Sequence, residues 1–122
     1  MREPLAKAEE ALKAAELCYE SGLYDSCASR CYYAMFWVAI AGLEHIGYAS
    51  QEWSHSGLMN VFGREIVKKR NLVARKIAAH FRNGYHLRLS ADYGRDLTGA
   101  KRARRALGHA QVFVVRLKEV VL

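Results

Sequence analysis

A run of basic side chains near the end of the chain has the composition and spacing of an anion-binding surface. On a helix that begins near residue 98, Lys101, Arg104, Arg105 and His109 fall on one side, with Arg102 at its edge. Guanidinium and ammonium groups bind phosphate through charge-assisted hydrogen bonds, so this pattern favours RNA, DNA, a nucleotide or an acidic protein as the partner. A solvated helix face has the same composition and is the alternative interpretation.

The charge of the chain is divided unevenly between its two halves. The 122 residues carry a net charge of +7. Residues 1–61 contain 4 Lys or Arg against 8 Asp or Glu, whereas residues 62–122 contain 15 against 4. The second half therefore has a net charge of +11, and this excess favours an anionic partner for that half.

Two cysteines have a spacing that could begin a metal site. Cys27 and Cys31 are four residues apart, so a helix places both on one face. A structural metal site needs a further pair of ligands at suitable spacing, and none follows. We therefore expect buried free cysteines that pack as small apolar side chains, and neither a metal nor a cofactor.

Length and composition predict one all-α domain over residues 1–122. The sequence is 52% hydrophobic and contains a single proline, Pro4, while good helix formers dominate. Its longest apolar run, residues 31–43, is too short to span a bilayer, for which roughly 20 residues are needed. No basic segment followed by an apolar one opens the sequence, so we expect a cytoplasmic protein without a membrane partner.

Residues that start or end helices, together with the helical spacing of the apolar residues, divide the chain into predicted helices. The first predicted helix covers residues 4–20, the second begins with Asp25 as its N-cap and stops at Gly47, and the third covers residues 57–69.

Two further helices follow. Asn71 is the predicted N-cap of the fourth, and Gly84 is expected to bend or break that helix. Thr98 is the predicted N-cap of the fifth, which runs nearly to the end. Short connections between four to five helices predict an up-and-down antiparallel bundle.

Four short segments stand in a specific order along these helices. They are SGLYD at 21–25, SRCYYAMF at 29–36, HSGL at 55–58 and RLSADYG at 88–94. In their order and separation, over residues 3–120, the chain resembles the HEPN domain, in particular its small stand-alone prokaryotic members.

The resemblance implies a helical bundle, often a homodimer, that is encoded beside a minimal nucleotidyltransferase as a toxin and antitoxin. We therefore expect the HEPN component of such a two-gene system, which binds nucleotide or RNA through its basic half. Two alternatives remain: a metal-independent ribonuclease toxin, and a non-enzymatic helical dimer that acts as a protein-interaction adaptor.

Ribonuclease members of this family use an arginine followed, after four to six residues, by a histidine. The arginine can neutralise the scissile phosphate while the histidine moves a proton. Arg75 and His80 have this spacing, but five helical steps rotate the chain by about 140°. Arg88 stands where the family places its arginine, with Tyr93 in place of the histidine. Arg88 and Asp92 are the further candidates for phosphate binding, or they form an ordinary surface ion pair.

Packing, capping or solvent exposure explains the remaining histidines of the sequence. Arg82 and His86 share a helix face, but their spacing is one residue too short for the family pattern. His80 and His86 suit solvent-facing or packing positions, and His55 is expected to be a cap or a buried polar anchor.

Overall fold

A computed structural model describes residues 2–48 and 52–122, and these residues form helices with no strand among them. The predicted all-α class is therefore confirmed. The helices are α1 (Arg2–Glu20), α2 (Tyr24–His45), α3 (His55–Phe62), α4 (Arg75–Tyr93) and α5 (Ala100–Val121). A π-helical segment, Gly63–Lys69, continues α3. No helix in the described ranges combines the length and the apolar character that crossing a membrane requires.

Contacts between helix ends define the direction of the long helices. Glu9 near the start of α1 accepts a hydrogen bond from Lys118 near the end of α5, at 2.6 Å. Tyr19 near the end of α1 accepts one from Arg104 near the start of α5, at 3.1 Å. The two helices are therefore antiparallel. A tight turn with Gly22 at φ 76° reverses the chain between α1 and α2, which gives the predicted up-and-down order.

Helix α2 is the centre of the bundle. It packs against α1, α4 and α5, and its buried side chains point in every direction around its axis. Tyr32, Met35 and Leu43 are among the largest fully buried side chains. Because α2 is surrounded within the chain, it fixes where the end of α4 lies, and the candidate site is built there.

The start of α2 differs from the prediction. Asp25 is not its N-cap: the helix begins at Tyr24, and the cap position holds Leu23, which makes no side-chain cap. Asp25 instead accepts a hydrogen bond at 2.9 Å from the backbone N–H of Thr98. Thr98 is likewise not the cap of α5, whose cap position is Gly99. The carboxylate thus joins the start of α2 to the loop that precedes α5.

The middle of α4 also differs from the prediction. The helix is continuous through Gly84, and a Cβ atom at this position would overlap the methyl group of Met35. Glycine here permits close approach of α4 to α2 and does not break the helix. Asn71 is not a cap: its φ of 52° places it in the left-handed region, and α4 begins only at Arg75.

Candidate functional site

Arg88 is held in one position near the end of α4. Its Nε donates a hydrogen bond at 3.0 Å to Oδ2 of Asp92, one turn further along the helix. Residues four apart on a helix are neighbours, so the spacing of Arg88 and Asp92 in the sequence brings the two side chains together. Only 12% of the Arg88 side chain is exposed, which restricts the guanidinium to a few directions of approach.

Three tyrosine rings surround the guanidinium of Arg88. Its central carbon lies 5.4 Å from the ring centroid of Tyr33, 5.8 Å from that of Tyr93 and 5.9 Å from that of Tyr32. These distances fall within the range of cation–π attraction. Tyr32 is fully buried, whereas 73% of Tyr93 is exposed. The guanidinium therefore contacts one fully buried ring, Tyr32, one partly buried ring, Tyr33, and one largely exposed ring, Tyr93.

His55 lies at the same place although it comes from a different helix. As the first residue of α3, it places its Nδ1 2.6 Å from the hydroxyl oxygen of Tyr32. Its ring centroid is 5.5 Å from that of Tyr32 and 6.2 Å from that of Tyr33. His55 and Arg88 thus contact the same two tyrosines. We refer to Arg88, Asp92, Tyr93, His55, Tyr32 and Tyr33 together as the Arg88 site.

Burial and charge determine which protons these groups carry. Burial, and then the positive charge of Arg88, lower the pKa of His55 below its ordinary value. Burial raises the pKa of the Tyr32 phenol. At neutral pH the imidazole is therefore uncharged and the phenol protonated. A neutral imidazole beside a permanent positive charge can accept a proton from a substrate that the arginine binds.

Comparison with known proteins identifies the fold around this site. The HEPN domain model matches residues 1–120, nearly the full length of the sequence. The chain belongs to the HEPN family. The resemblance stated from the four sequence segments is therefore confirmed.

Curated relatives of this HEPN protein share most of its length. Two proteins of Methanocaldococcus jannaschii, each named "Putative toxin", are 29% identical over 119 residues and 31% identical over 114 residues. These alignments cover 97% and 93% of this chain and 79% and 83% of the relatives. A "UPF0332 protein" of Archaeoglobus fulgidus is 32% identical over 125 residues, covering 96% of this chain and 91% of that protein.

The structure separates the other Arg–His pair. Arg75 lines a cleft between the α3 region and α4, together with Phe62 and Lys68. His80 lies on another side of the unbroken α4, where its ring stacks on that of His109. The two side chains face different clefts, as the helical rotation of about 140° over five residues requires.

The basic cluster of this HEPN protein is divided between two sides of α5. Arg102, Arg105 and His109 line a cleft that α5 forms with α4. Arg104 points away from that cleft and donates a hydrogen bond to the Tyr19 hydroxyl on α1. Lys101 is exposed. Only part of the predicted anion-binding surface is therefore concentrated in one place.

His55, like Tyr32 and Tyr33, is a residue of the site that the sequence did not reveal. Its sequence separation from Arg88 is 33 residues, so no helical spacing relates them. The available signal was the HSGL segment at 55–58, which matched a HEPN landmark. It indicated the start of a helix but not the neighbours of the histidine.

The cysteines of α2 lie away from the site. Cys27 and Cys31 are buried and unpaired, as expected, with their Sγ atoms 4.0 Å apart. Across the residues that the structure describes, no group of three His, Cys, Asp or Glu side chains is arranged to hold a metal ion.

Proposed function

We propose that this HEPN protein is the toxin-type component of a two-gene system and that it binds RNA or a nucleotide at the Arg88 site. One observation carries the proposal: a guanidinium fixed by Asp92 lies among three tyrosine rings, of which Tyr93 is largely exposed. Arginine binds phosphate and an exposed ring stacks on a base. Together they suit single-stranded nucleic acid.

Metal-independent cleavage of RNA is the second candidate function, and His55 favours it. The sequence lacks a histidine after Arg88 at the family spacing, but the fold brings one to the same tyrosines. In this scheme Arg88 neutralises the phosphate. His55 is the tautomer whose Nδ1–H donates to the Tyr32 hydroxyl oxygen, and its Nε2 takes the proton from the 2′-hydroxyl. The 2′-oxygen then attacks phosphorus, and the departing 5′-oxygen takes its proton from water.

The experiment uses purified protein and a labelled single-stranded RNA of mixed sequence, in EDTA to exclude metal-dependent nucleases. Binding and cleavage are measured for the wild type, Arg88→Ala and His55→Ala. Arg88→Ala should weaken RNA binding at least tenfold, because it removes the phosphate contact. His55→Ala should abolish cleavage and leave binding within a few fold of the wild type.

Arg82→Ala is the matched control, because Arg82 is exposed on the same helix. It removes the same charge outside the Arg88 site. Equal RNA binding by Arg88→Ala, Arg82→Ala and the wild type would refute the proposed binding site. Cleavage that His55→Ala and Arg88→Ala leave unchanged would refute the catalytic alternative. Thermal unfolding of each variant checks that its fold is intact.

The proposed partners follow from family resemblance and from the names of the relatives. A minimal nucleotidyltransferase is the proposed second protein of the system, in the cytoplasm. A homodimer is also proposed, and the exposure of the large apolar side chain of Leu97, in the loop between α4 and α5, supports it. Light scattering of the purified protein, alone and with the product of a neighbouring nucleotidyltransferase gene, tests both interactions.

A further inference from the structure

A second polar site lies between α4 and α5. The rings of His80 on α4 and His109 on α5 stack with their centroids 3.9 Å apart and their planes within 9°. They line a cleft of about 290 Å³ together with Arg102 and Arg105. This volume is roughly ten times the share of one water molecule in the liquid. We refer to this space as the α4–α5 cleft, and it has room for a phosphate group.

Every ionisable side chain that lines the cleft is basic. The α5 helix contributes Arg102, Arg105 and His109, and α4 contributes His80; Lys76 on α4 adds its charge to the surroundings of His80. The other lining residues are uncharged: Met35 from α2, Asn83, Gly84 and Leu87 from α4, and Ala106 from α5.

These basic groups are not used within the protein. Over residues 2–48 and 52–122, no side-chain hydrogen bond or ion pair engages Arg102, Arg105, His80 or His109. Elsewhere on the same helix, Arg104 and Arg116 do have partners. Four unpaired donor groups therefore surround one concave space, and the described lining residues include no carboxylate. The positive potential of such a space stabilises a bound anion and disfavours a cation.

We propose that the α4–α5 cleft binds a phosphate dianion, held by Arg102 and Arg105 with His80 and His109 as further donors. Its lining shares no residue with the Arg88 site, so the inference does not depend on the proposed RNA function. A dianion is favoured over a monoanion because two guanidinium charges face the space. The ligand chemistry is that of a phosphate monoester, free or at the end of a chain.

Binding at this cleft should be coupled to proton uptake. Burial, and then the charges of His109 and Lys76, lower the pKa of His80; burial and Arg105 lower the pKa of His109. Both imidazoles are therefore neutral at pH 7 in the free protein. A bound dianion offsets the positive charges around them, so both pKa values should rise on binding. By linkage, affinity for the anion rises as the pH falls.

Sulfate is the first probe, because it is a dianion at every pH of the experiment and cannot itself cause a pH dependence. Its affinity for the full chain is measured by calorimetry between about pH 8 and about pH 5, with chloride holding the ionic strength constant. We expect affinity to rise toward low pH, by up to tenfold per pH unit for each proton taken up. In NMR titrations, sulfate should raise the pKa values of His80 and His109.

Matched variants on the same helices distinguish sulfate binding at the cleft from a general effect of positive charge. Arg105→Ala should weaken sulfate binding tenfold or more, whereas Arg104→Ala should not, because Arg104 faces Tyr19. His86→Gln serves as the control for His80→Gln, since His86 is exposed on the same helix. A pH-independent sulfate affinity, or equal losses in Arg104→Ala and Arg105→Ala, would overturn the proposal. The wild-type titration decides the question even if a histidine variant does not fold.

Competition identifies the source of the phosphate group. AMP, inorganic phosphate, and one RNA oligonucleotide with and without a 5′-phosphate are each tested against sulfate. Displacement by AMP would indicate a free nucleotide, and displacement only by the 5′-phosphorylated RNA would indicate an RNA end. Failure of all phosphate-bearing competitors would refute the site. His80 and His109 report on the cleft and His55 reports on the Arg88 site, so their separate NMR signals distinguish failure at the Arg88 site from failure at the cleft.

Discussion

The hydroxyl oxygen of Tyr32 and Nδ1 of His55 lie 2.6 Å apart, which ties the centre of α2 to the first residue of α3. Tyr32 is fully buried, so this contact holds the imidazole on its core-facing side. Nε2 of His55 is then available to a ligand. Arg88 rests on the same tyrosine ring from α4. Three helices therefore contribute to one charged and aromatic site.

The pKa of His55 should report on Arg88 directly. The charge of Arg88 contributes to lowering that pKa, after burial, and removal of the side chain both deletes the charge and admits water. Arg88→Ala should therefore raise the pKa of His55, as measured by NMR titration of the imidazole protons. Arg82→Ala, on the same helix but exposed, should leave it unchanged. A His55 pKa that does not respond to Arg88→Ala would show that the two groups are not electrostatically coupled.

Two substitutions of Tyr93 distinguish stacking from hydroxyl chemistry. If the exposed ring stacks on a base, Tyr93→Ala should weaken RNA binding by about 1–3 kcal/mol, while Tyr93→Phe retains both binding and any cleavage. Fluorescence anisotropy with labelled RNA measures the first effect, and gel analysis in EDTA measures the second. Loss of cleavage in Tyr93→Phe, with binding retained, would instead assign a catalytic role to the hydroxyl.

Most of the fold could be predicted because its signals are local. Gly47, at φ 104°, ends the second helix as expected, and the ion pair between Arg88 and Asp92 follows from their spacing of four. The α2 sequence is apolar on nearly all sides, which is typical of a helix at the centre of a bundle. Each of these features depends only on residues within a few turns of helix.

The features that escaped prediction depend on contacts between distant segments. Gly84 suggests a weak point in an isolated helix, but in the bundle it is where Met35 of α2 approaches α4. Asp25 has the ideal residue type for an N-cap, but its carboxylate instead accepts a hydrogen bond from the buried N–H of Thr98, in the loop before α5. His55 joins Arg88 only because α2 positions both. Periodicity along one helix contains no information about which neighbouring helix supplies the partner.

The contact between Asp25 and Thr98 should contribute measurably to stability. Asp25→Ala leaves the backbone N–H of the buried Thr98 without its acceptor, which should cost about 1–3 kcal/mol in the free energy of unfolding. Denaturant titration at neutral pH measures the change. Asp96→Ala is the control, because Asp96 is an exposed carboxylate in the same loop. Equal stability of the two variants would contradict a structural role for the Asp25 carboxylate.

A buried carboxylate makes the segment after α3 sensitive to acid. Glu65 lies in the π-helical segment, where its Oε2 accepts a hydrogen bond at 2.8 Å from Arg64 and its Oε1 pairs with Arg70 at 2.5 Å. Hydrogen bonds from these two arginines lower the pKa of Glu65 to about 2. The unfolded carboxyl has its ordinary pKa of 4.5. The stabilisation is therefore complete above that pH and is lost as the pH falls toward 2.

Glu65→Gln should accordingly destabilise the protein at pH 7, and the difference from the wild type should shrink as the pH is lowered. Urea unfolding midpoints of both proteins at a series of pH values measure this convergence. Glu10→Gln is the control, because Glu10 is exposed on α1, and it should follow the wild type throughout. A constant difference between Glu65→Gln and the wild type at every pH would exclude the ionic origin of the effect.

The salt dependence of RNA binding should separate the two roles within the Arg88 site. Each phosphate that a protein neutralises on a single strand adds about 0.7 to the slope of log affinity against log salt, because condensed counterions are released. Arg88→Ala should therefore reduce the slope by about 0.7, whereas Tyr93→Ala should lower affinity and leave the slope unchanged, since stacking releases no counterion. Anisotropy titrations between about 50 mM and about 200 mM salt measure both. Identical slopes for Arg88→Ala and the wild type would mean that Arg88 contacts no phosphate. RNA binding at the site would then depend on the tyrosines alone.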